Sequence, residues 1–251
     1  MPFEPLEAAA PELTVHAIVL RRRDAGESDR RLTLLTQEAG VMDVVAKGAR
    51  KSGSRLSGSS EPLSASILQI TPGKKQSFVT QAQPISSFPG LRADYDRLCF
   101  GLALTELAAG VLPHDHPAED EFRFLVRALH DLEIHEKPVV VLAWAQVRMM
   151  EMAGFWPSFE ACAVTGVLVR EARPFISPHA GGYVVSDRAF EFTDSFQTRA
   201  EILYGLNALV ELEEPPENFK SVGETLRTLF PFWRAIVDRA LPANEAALQL
   251  L

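Results

Sequence analysis

The sequence predicts an α+β protein, with a small five-stranded β-barrel at its N-terminus and an α-helical domain after it. Three observations predict this. Five short β-prone runs crowd residues 13–82, separated by turns containing glycine or proline, which is the pattern of a small barrel of OB or SH3-like type. From about Asp94 the apolar spacing changes from the strand period to the helical one. The charge divides along the same line: residues 16–75 hold 11 Lys and Arg against 6 Asp and Glu, and the remainder holds 14 against 27. A net charge of −8 for the whole chain therefore conceals a region at +5 attached to a body at −13, which suits an anion-binding module on an acidic support.

The elements follow in order. Residues 1–12, rich in Ala, Pro and Glu, read as a mobile tail. Leu13–Leu20 is a first strand, and Arg21-Arg22-Arg23 at its end either lines a groove or is a solvated terminus. Leu32–Thr36 and Val41–Ala46, joined by Glu38-Ala39-Gly40, make a hairpin. Ser64–Ile70 alternates as a strand, turns at Pro72–Lys75, and returns as Ser77–Ala82. Phe78 is the main aromatic that could stack a base, but it reads better as a core residue, so binding is expected to be mostly electrostatic and salt-sensitive.

Pro84–Pro89 is a linker, so the domains are expected at 1–83 and 84–251. Residues 94–112 and Glu119–Leu132 carry apolar faces at helical spacing, the latter with three acids in its first turn, where the helix dipole favours them. Val139–Met152 is apolar nearly all round, as a central helix should be, and Gly154 ends it. Helices over 195–212 and 218–239 follow, the latter expected to kink at Pro231, and the chain beyond Pro242 is expected to fray.

The segment between the second and third barrel strands carries the functional signal. Lys47-Gly48-Ala49-Arg50-Lys51-Ser52-Gly53-Ser54-Arg55 places four cations in nine residues without an acid. Lys and Arg in a flexible Gly/Ser loop can approach a phosphate backbone and release its counterions. A solvated surface loop has the same composition, and the loop alone does not decide between them. Asp29, between Ser28 and Arg30-Arg31, could pair with either arginine and compete with a ligand for it.

Several motifs in one order add to this reading: Gly26-Glu27-Ser28-Asp29-Arg30, Leu32-Thr33-Leu34-Leu35-Thr36, Glu38-Ala39-Gly40, Ala46-Lys47-Gly48-Ala49-Arg50-Lys51, Ser54-Arg55-Leu56 and Glu61-Pro62-Leu63. Together they resemble the start of the bacterial recombination mediator RecO family. The resemblance implies an OB-fold followed by a helical domain. It also implies a DNA repair protein of homologous recombination that binds single- and double-stranded DNA, anneals complementary strands without catalysis, and helps load recombinase on strands coated by single-strand-binding protein. The implied partners are DNA, RecR and the acidic, apolar C-terminal tail of single-strand-binding protein. The implied DNA ligands are Lys47, Arg50, Lys51 and Arg55, then Arg30 and Arg31. Arg97, Arg123 and Arg127 are candidates to hold the partner's tail.

Gly154-Phe155-Trp156-Pro157 continues the resemblance, and many RecO-like chains then carry two Cys-x-x-Cys pairs around zinc. Here Cys162 stands at the first position, while Thr165, Val185 and Arg188 stand at the others. One thiolate cannot make a tetrahedral zinc site. The expectation is no metal and no cofactor, with a small β-hairpin insert at about 162–190 in place of the zinc-binding module, Phe175–Ile176 pairing with Tyr183–Val185.

Composition and motifs narrow the function classes. No apolar run has the length of a membrane span, Met1–Pro5 lacks a signal-peptide core, and Cys99 and Cys162 make no disulfide framework. These readings predict a cytoplasmic protein without membrane partners, and the resemblance implies association with the nucleoid. No phosphate-loop or nucleophile-elbow motif is present, and no catalysis is expected. Two other classes compete: a protein-interaction scaffold whose barrel does not bind DNA, and a metal-dependent enzyme built on His114 and His116 beside Glu119 and Asp120.

Overall fold

β1 (Leu13–Ala25) is the strand around which the first unit closes. In the computed structural model, which describes residues 12–251, its first half pairs with β4 (Ala65–Pro72) and its second half with β2 (Asp29–Thr36). A bulge between Val19 and Arg21 bends it between the two partners. β2 turns into β3 (Gly40–Ala46), and β5 (Ser77–Ser86) lies between β3 and β4, giving a closed barrel in the order β1-β2-β3-β5-β4. The closing β3–β5 pair is parallel and only three residue pairs long. This is the OB arrangement rather than the SH3-like one. Alternation sends Val15, Ala17, Val19, Leu32, Leu34, Val44, Ala46, Leu68, Ile70 and Val79 inward to form the barrel core.

The tail expected over residues 1–12 lies outside the described residues except for Glu12, whose carboxylate accepts hydrogen bonds from the Thr71 and Thr80 hydroxyls. β1 runs through Arg21-Arg22-Arg23, so these are strand residues and not a terminus.

The chain divides into two compact units that interleave in sequence: residues up to Phe88 with Leu112–Arg123, and Pro89–Val111 with Phe124–Leu251. Within the first unit, Val41 N–H donates to Pro113 O and Ala118 N–H to Gln37 O, so the segment 113–118 lies along the β2–β3 turn. This segment contains the His-x-His motif; His114 bridges to Gly40 and Val41 through its backbone. Gly40 has φ +66°, and a Cβ there would stand 2.4 Å from His116 O and 2.5 Å from Pro113 O. Gly40→Ala is therefore expected to lower stability by about 3 kcal/mol, from backbone strain plus displacement of the segment. Urea unfolding checks this, and an unchanged midpoint would show that the turn does not depend on this contact.

The second unit is helical. It contains α1 (Pro89–Ala93), α2 (Tyr95–Val111), most of α3 (Glu119–Ile134), α4 (Pro138–Met152), α5 (Ala200–Val210), α6 (Val222–Val237) and α7 (Pro242–Leu248). α4 is buried nearly all round and ends in a Schellman cap, with Gly154 N–H donating to Glu151 O and Phe155 N–H to Met150 O. α6 continues through Pro231. Trp156, Phe159 and Phe232 stack edge to face, with centroids 5.4 and 5.2 Å apart.

The insert contains the expected hairpin, β6 (Phe175–Ser177) against β7 (Gly182–Val184), and adds β8 (Phe196–Gln197) on the other side of β6. The end of the chain differs from expectation. It forms α7 and does not fray, because Glu106 accepts the Ala243 and Asn244 amides at its N-terminus. Asn244, 2% exposed, also donates to Ala103 O and accepts from Gln146.

Candidate nucleic-acid interface

Strand alternation sorts the arginines of the barrel into two groups. In the β1–β2 ladder Arg22 pairs with Leu32 and Arg23 with Arg31, and in the β2–β3 ladder Arg30 pairs with Ala46 and Arg31 with Val45. Leu32 and Ala46 belong to the core, so Arg22 and Arg30 share the inward face. There they meet Glu61, at 3.2 and 3.0 Å. Arg30 is 8% exposed, and its guanidinium also donates to Ser60 Oγ at 2.7 Å and Ser57 O at 3.1 Å. Its charge is used to hold the 57–61 segment against the barrel.

Arg23 and Arg31 take the outward face. One rung runs across the sheet from Arg23 to Arg31, Val45, Phe78 and Thr71. Arg31 is exposed and donates to the side-chain oxygen of Gln76 at 3.3 Å. Phe78 is half-buried on this face and is not in the core. The Lys47 ammonium stands over its ring, 4.1 Å from the centroid. A basic surface with an aromatic platform is thus assembled from four strands. The sequence leaves Arg23 open between a groove residue and a solvated terminus, and the hairpin register places it beside Arg31.

The basic loop is built, not merely flexible. Gly48, at φ +65°, sends its N–H to Asp29 Oδ1 at 2.8 Å, Arg50 N–H donates to Ser28 O, and Ala49 is fully buried in the core. Asp29 therefore pairs with neither Arg30 nor Arg31. The Gly48 amide, opposed by burial and helped by the Ser28 hydroxyl and the Lys47 and Lys51 charges, holds its carboxyl below the usual carboxylate range. Arg50 donates to Gly26 O at 3.1 Å and stands 3.5 Å from Asp24, bracing the loop against the β1–β2 turn. Lys51 and Arg55 are exposed, with no acidic partner within 4.0 Å among the described residues.

The three helical-domain arginines are engaged in different ways. Arg97 donates to the carbonyls of Leu132 and, at 2.9 Å, His135, closing the end of α3. Arg123 pairs with Glu119 and Asp120 of its own helix. Arg127 lies 2.9 Å from Glu214, which is 79% exposed, and 5.9 Å from the Trp144 ring.

At Cys162, Thr165 and Val185 come together as the zinc-module pattern would place them. Val185 N–H donates to the sulfur at 3.4 Å, and Thr165 and Val164 also donate to it. Burial raises this thiol's pKa, but the donors outweigh burial and bring it below the ordinary value. Arg188 pairs with Glu191. Thr165, Val185 and Arg188 supply no thiolate, imidazole or carboxylate beside the single Cys162 sulfur, so these residues do not fit zinc. Among the described residues no group of three or more His, Cys, Asp or Glu side chains could hold a metal, the His114–His116 segment included. No helix among them is long and apolar enough to cross a membrane.

Comparison with known proteins agrees with this architecture. Residues 11–88 match the family described as recombination protein O N terminal, and residues 92–247 match recombination protein O C terminal. A DNA repair protein RecO of Heliobacterium modesticaldum is 38% identical over 172 residues, 67% of this chain and 62% of that protein. The corresponding protein of Nocardioides sp. is 37% identical over 68% of this chain and 71% of its own length. That of Thermobifida fusca is 37% identical over 67% and 70%.

Proposed function

Since the chain belongs to the RecO family of DNA repair proteins, we propose that it binds single- and double-stranded DNA through the outer face of its barrel and acts without catalysis as a recombination mediator. In this reading it anneals complementary strands and helps load recombinase on DNA coated by single-strand-binding protein, with RecR and the acidic tail of that protein as partners. It works in the cytoplasm, at the nucleoid.

The observation that supports DNA binding most is the outward rung. Arg31 and Phe78 share it, Lys47 stands over Phe78, and Lys51 and Arg55 follow in the adjoining loop. The cations neutralise phosphates, and the Phe78 ring face gives one base a stacking surface when Lys47 swings from it to a phosphate. Arg50 contributes its remaining field while bracing the loop, and Arg30 positions the loop from within. For the partner's tail, Arg127 is the best supported of the three arginines, because an incoming carboxylate can replace the exposed Glu214.

Binding to a labelled single-stranded oligonucleotide across a salt series tests this. Affinity is expected to fall steeply as salt rises, and Phe78→Ala is expected to weaken it about five- to tenfold at every salt concentration, since stacking is not screened. No binding at low salt, or binding indifferent to salt, would favour the scaffold alternative.

A further inference from the structure

We propose that a cleft at the end of the barrel, holding Arg55, Ser59 and Ser66, binds a phosphomonoester, and that on DNA it takes the phosphorylated end of a strand. The proposal rests on the DNA-binding reading above and assigns the strand end to a separate site.

The cleft has a volume of about 310 Å³ and is formed by the 3₁₀ turn Gly58–Ser60 and the adjoining ends of β4 and β5. That volume is at the lower end of sites that enclose a small ligand and suits one terminal nucleotide. Ser59 and Ser66, 6% and 2% exposed, line it, and neither hydroxyl oxygen has a hydrogen-bond partner. Buried hydroxyls are normally satisfied, so two orphans in one cleft call for a common explanation. Each serine needs only one side-chain torsion to re-aim its hydroxyl as a donor.

Arg55 supplies the charge. It is exposed at the same cleft, with no acidic partner within 4.0 Å among the described residues, and its guanidinium can present two parallel donors to phosphate oxygens. The remaining wall is mixed, with Ser64, Ser86 and Ser87 beside Ala65. Pro84 lines it, and Ile85, 57% exposed, offers a surface for a sugar or base. A continuing backbone presents a singly charged diester and tracks along the surface. A terminal phosphate has three unsubstituted oxygens and higher charge, and it can enter as far as the two serines.

The test compares one oligonucleotide with a 5′-phosphate, a 3′-phosphate or hydroxyls at both ends, using the full chain and the double variant Ser59→Ala/Ser66→Ala. One phosphorylated end is expected to bind about tenfold more tightly than the hydroxyl end. The serine variant is expected to lose that preference while keeping the affinity for the hydroxyl-ended strand and a melting temperature at or above that of the natural chain. Equal affinities for all three ends, or a preference that survives in the variant, would overturn the proposal and leave the interface reading intact. If no oligonucleotide binds, the interface reading fails, and direct titration with thymidine 5′- and 3′-monophosphate decides the cleft. Saturable binding lost in the variant would support it, and no binding would overturn it. Inorganic phosphate competing as well as the nucleotide would identify free phosphate as the ligand and overturn the strand-end assignment.

Discussion

Replacing Arg31, Lys47, Lys51 and Arg55 together by alanine is expected to weaken single-stranded DNA binding about 10²- to 10³-fold at low salt. The log–log salt dependence should become shallower by about two to three, because each neutralised phosphate contributes roughly 0.7 to the slope on single strands. These four are chosen because the fold does not depend on their charges. All are exposed, and their contacts are a 3.3 Å bond to Gln76, a ring under Lys47, and none with an acid within 4.0 Å among the described residues. Arg50 is left in place because it bonds Gly26 O and stands by Asp24, so its loss would disturb the loop as well as its charge. The variant should melt with the natural chain. If it binds DNA as the natural chain does, the cations that matter lie elsewhere, and the exposed Arg23, Lys74 and Lys75 become the next to change.

Arg30→Ala should do the reverse, with a large loss of stability and little direct effect on the DNA surface. The guanidinium is buried and makes three contacts, to Ser57 O, Ser60 Oγ and Glu61. Removing one partner of a buried pair commonly costs about 3–5 kcal/mol. Glu61 keeps Arg22 and is about one-third exposed, so the expected cost here is nearer 2–3 kcal/mol. Urea unfolding measures it. DNA binding well below the unfolding midpoint should change by less than threefold, since Arg30 faces inward. A loss below about 0.5 kcal/mol together with a sharp drop in affinity would return Arg30 to the ligands.

The barrel was legible because its signals are local. Period-two runs, a Gly-containing hairpin turn and a Pro-Gly turn each lie within a few residues. The cations of the 47–55 loop were legible for the same reason. What the sequence hid depends on register and on distant partners. Arg30 and Arg31 are adjacent and chemically identical, yet one braces the interior and the other faces out, and only the strand parity relative to Leu32 and Ala46 separates them. Asp29 suggested an arginine partner but found the Gly48 amide, whose position depends on how the loop folds back. Phe78 could be core or surface until the β3–β5 pairing set it beside Lys47. The C-terminal helix gave the weakest signal of all, because the carboxylate that caps it, Glu106, lies more than 130 residues earlier.

The interleaving of the two units has a consequence for how this chain is made and how it could be divided. The β2–β3 turn finds its hydrogen-bond partners in residues 113–118, which leave the ribosome only after α2 has been synthesised. A nascent chain ending near Phe88 holds all five strands but leaves Val41 N–H and Gln37 O without their native partners. Barrel completion on the ribosome is thus delayed by roughly thirty residues of translation, a few seconds at bacterial rates of about 5–20 residues per second. The same feature means that a fragment cut at the linker loses part of its own fold, and that no single junction exchanges a whole barrel between relatives, because a cut before residue 112 leaves 112–123 behind and a cut beyond 123 carries α1 and α2 away from the second unit.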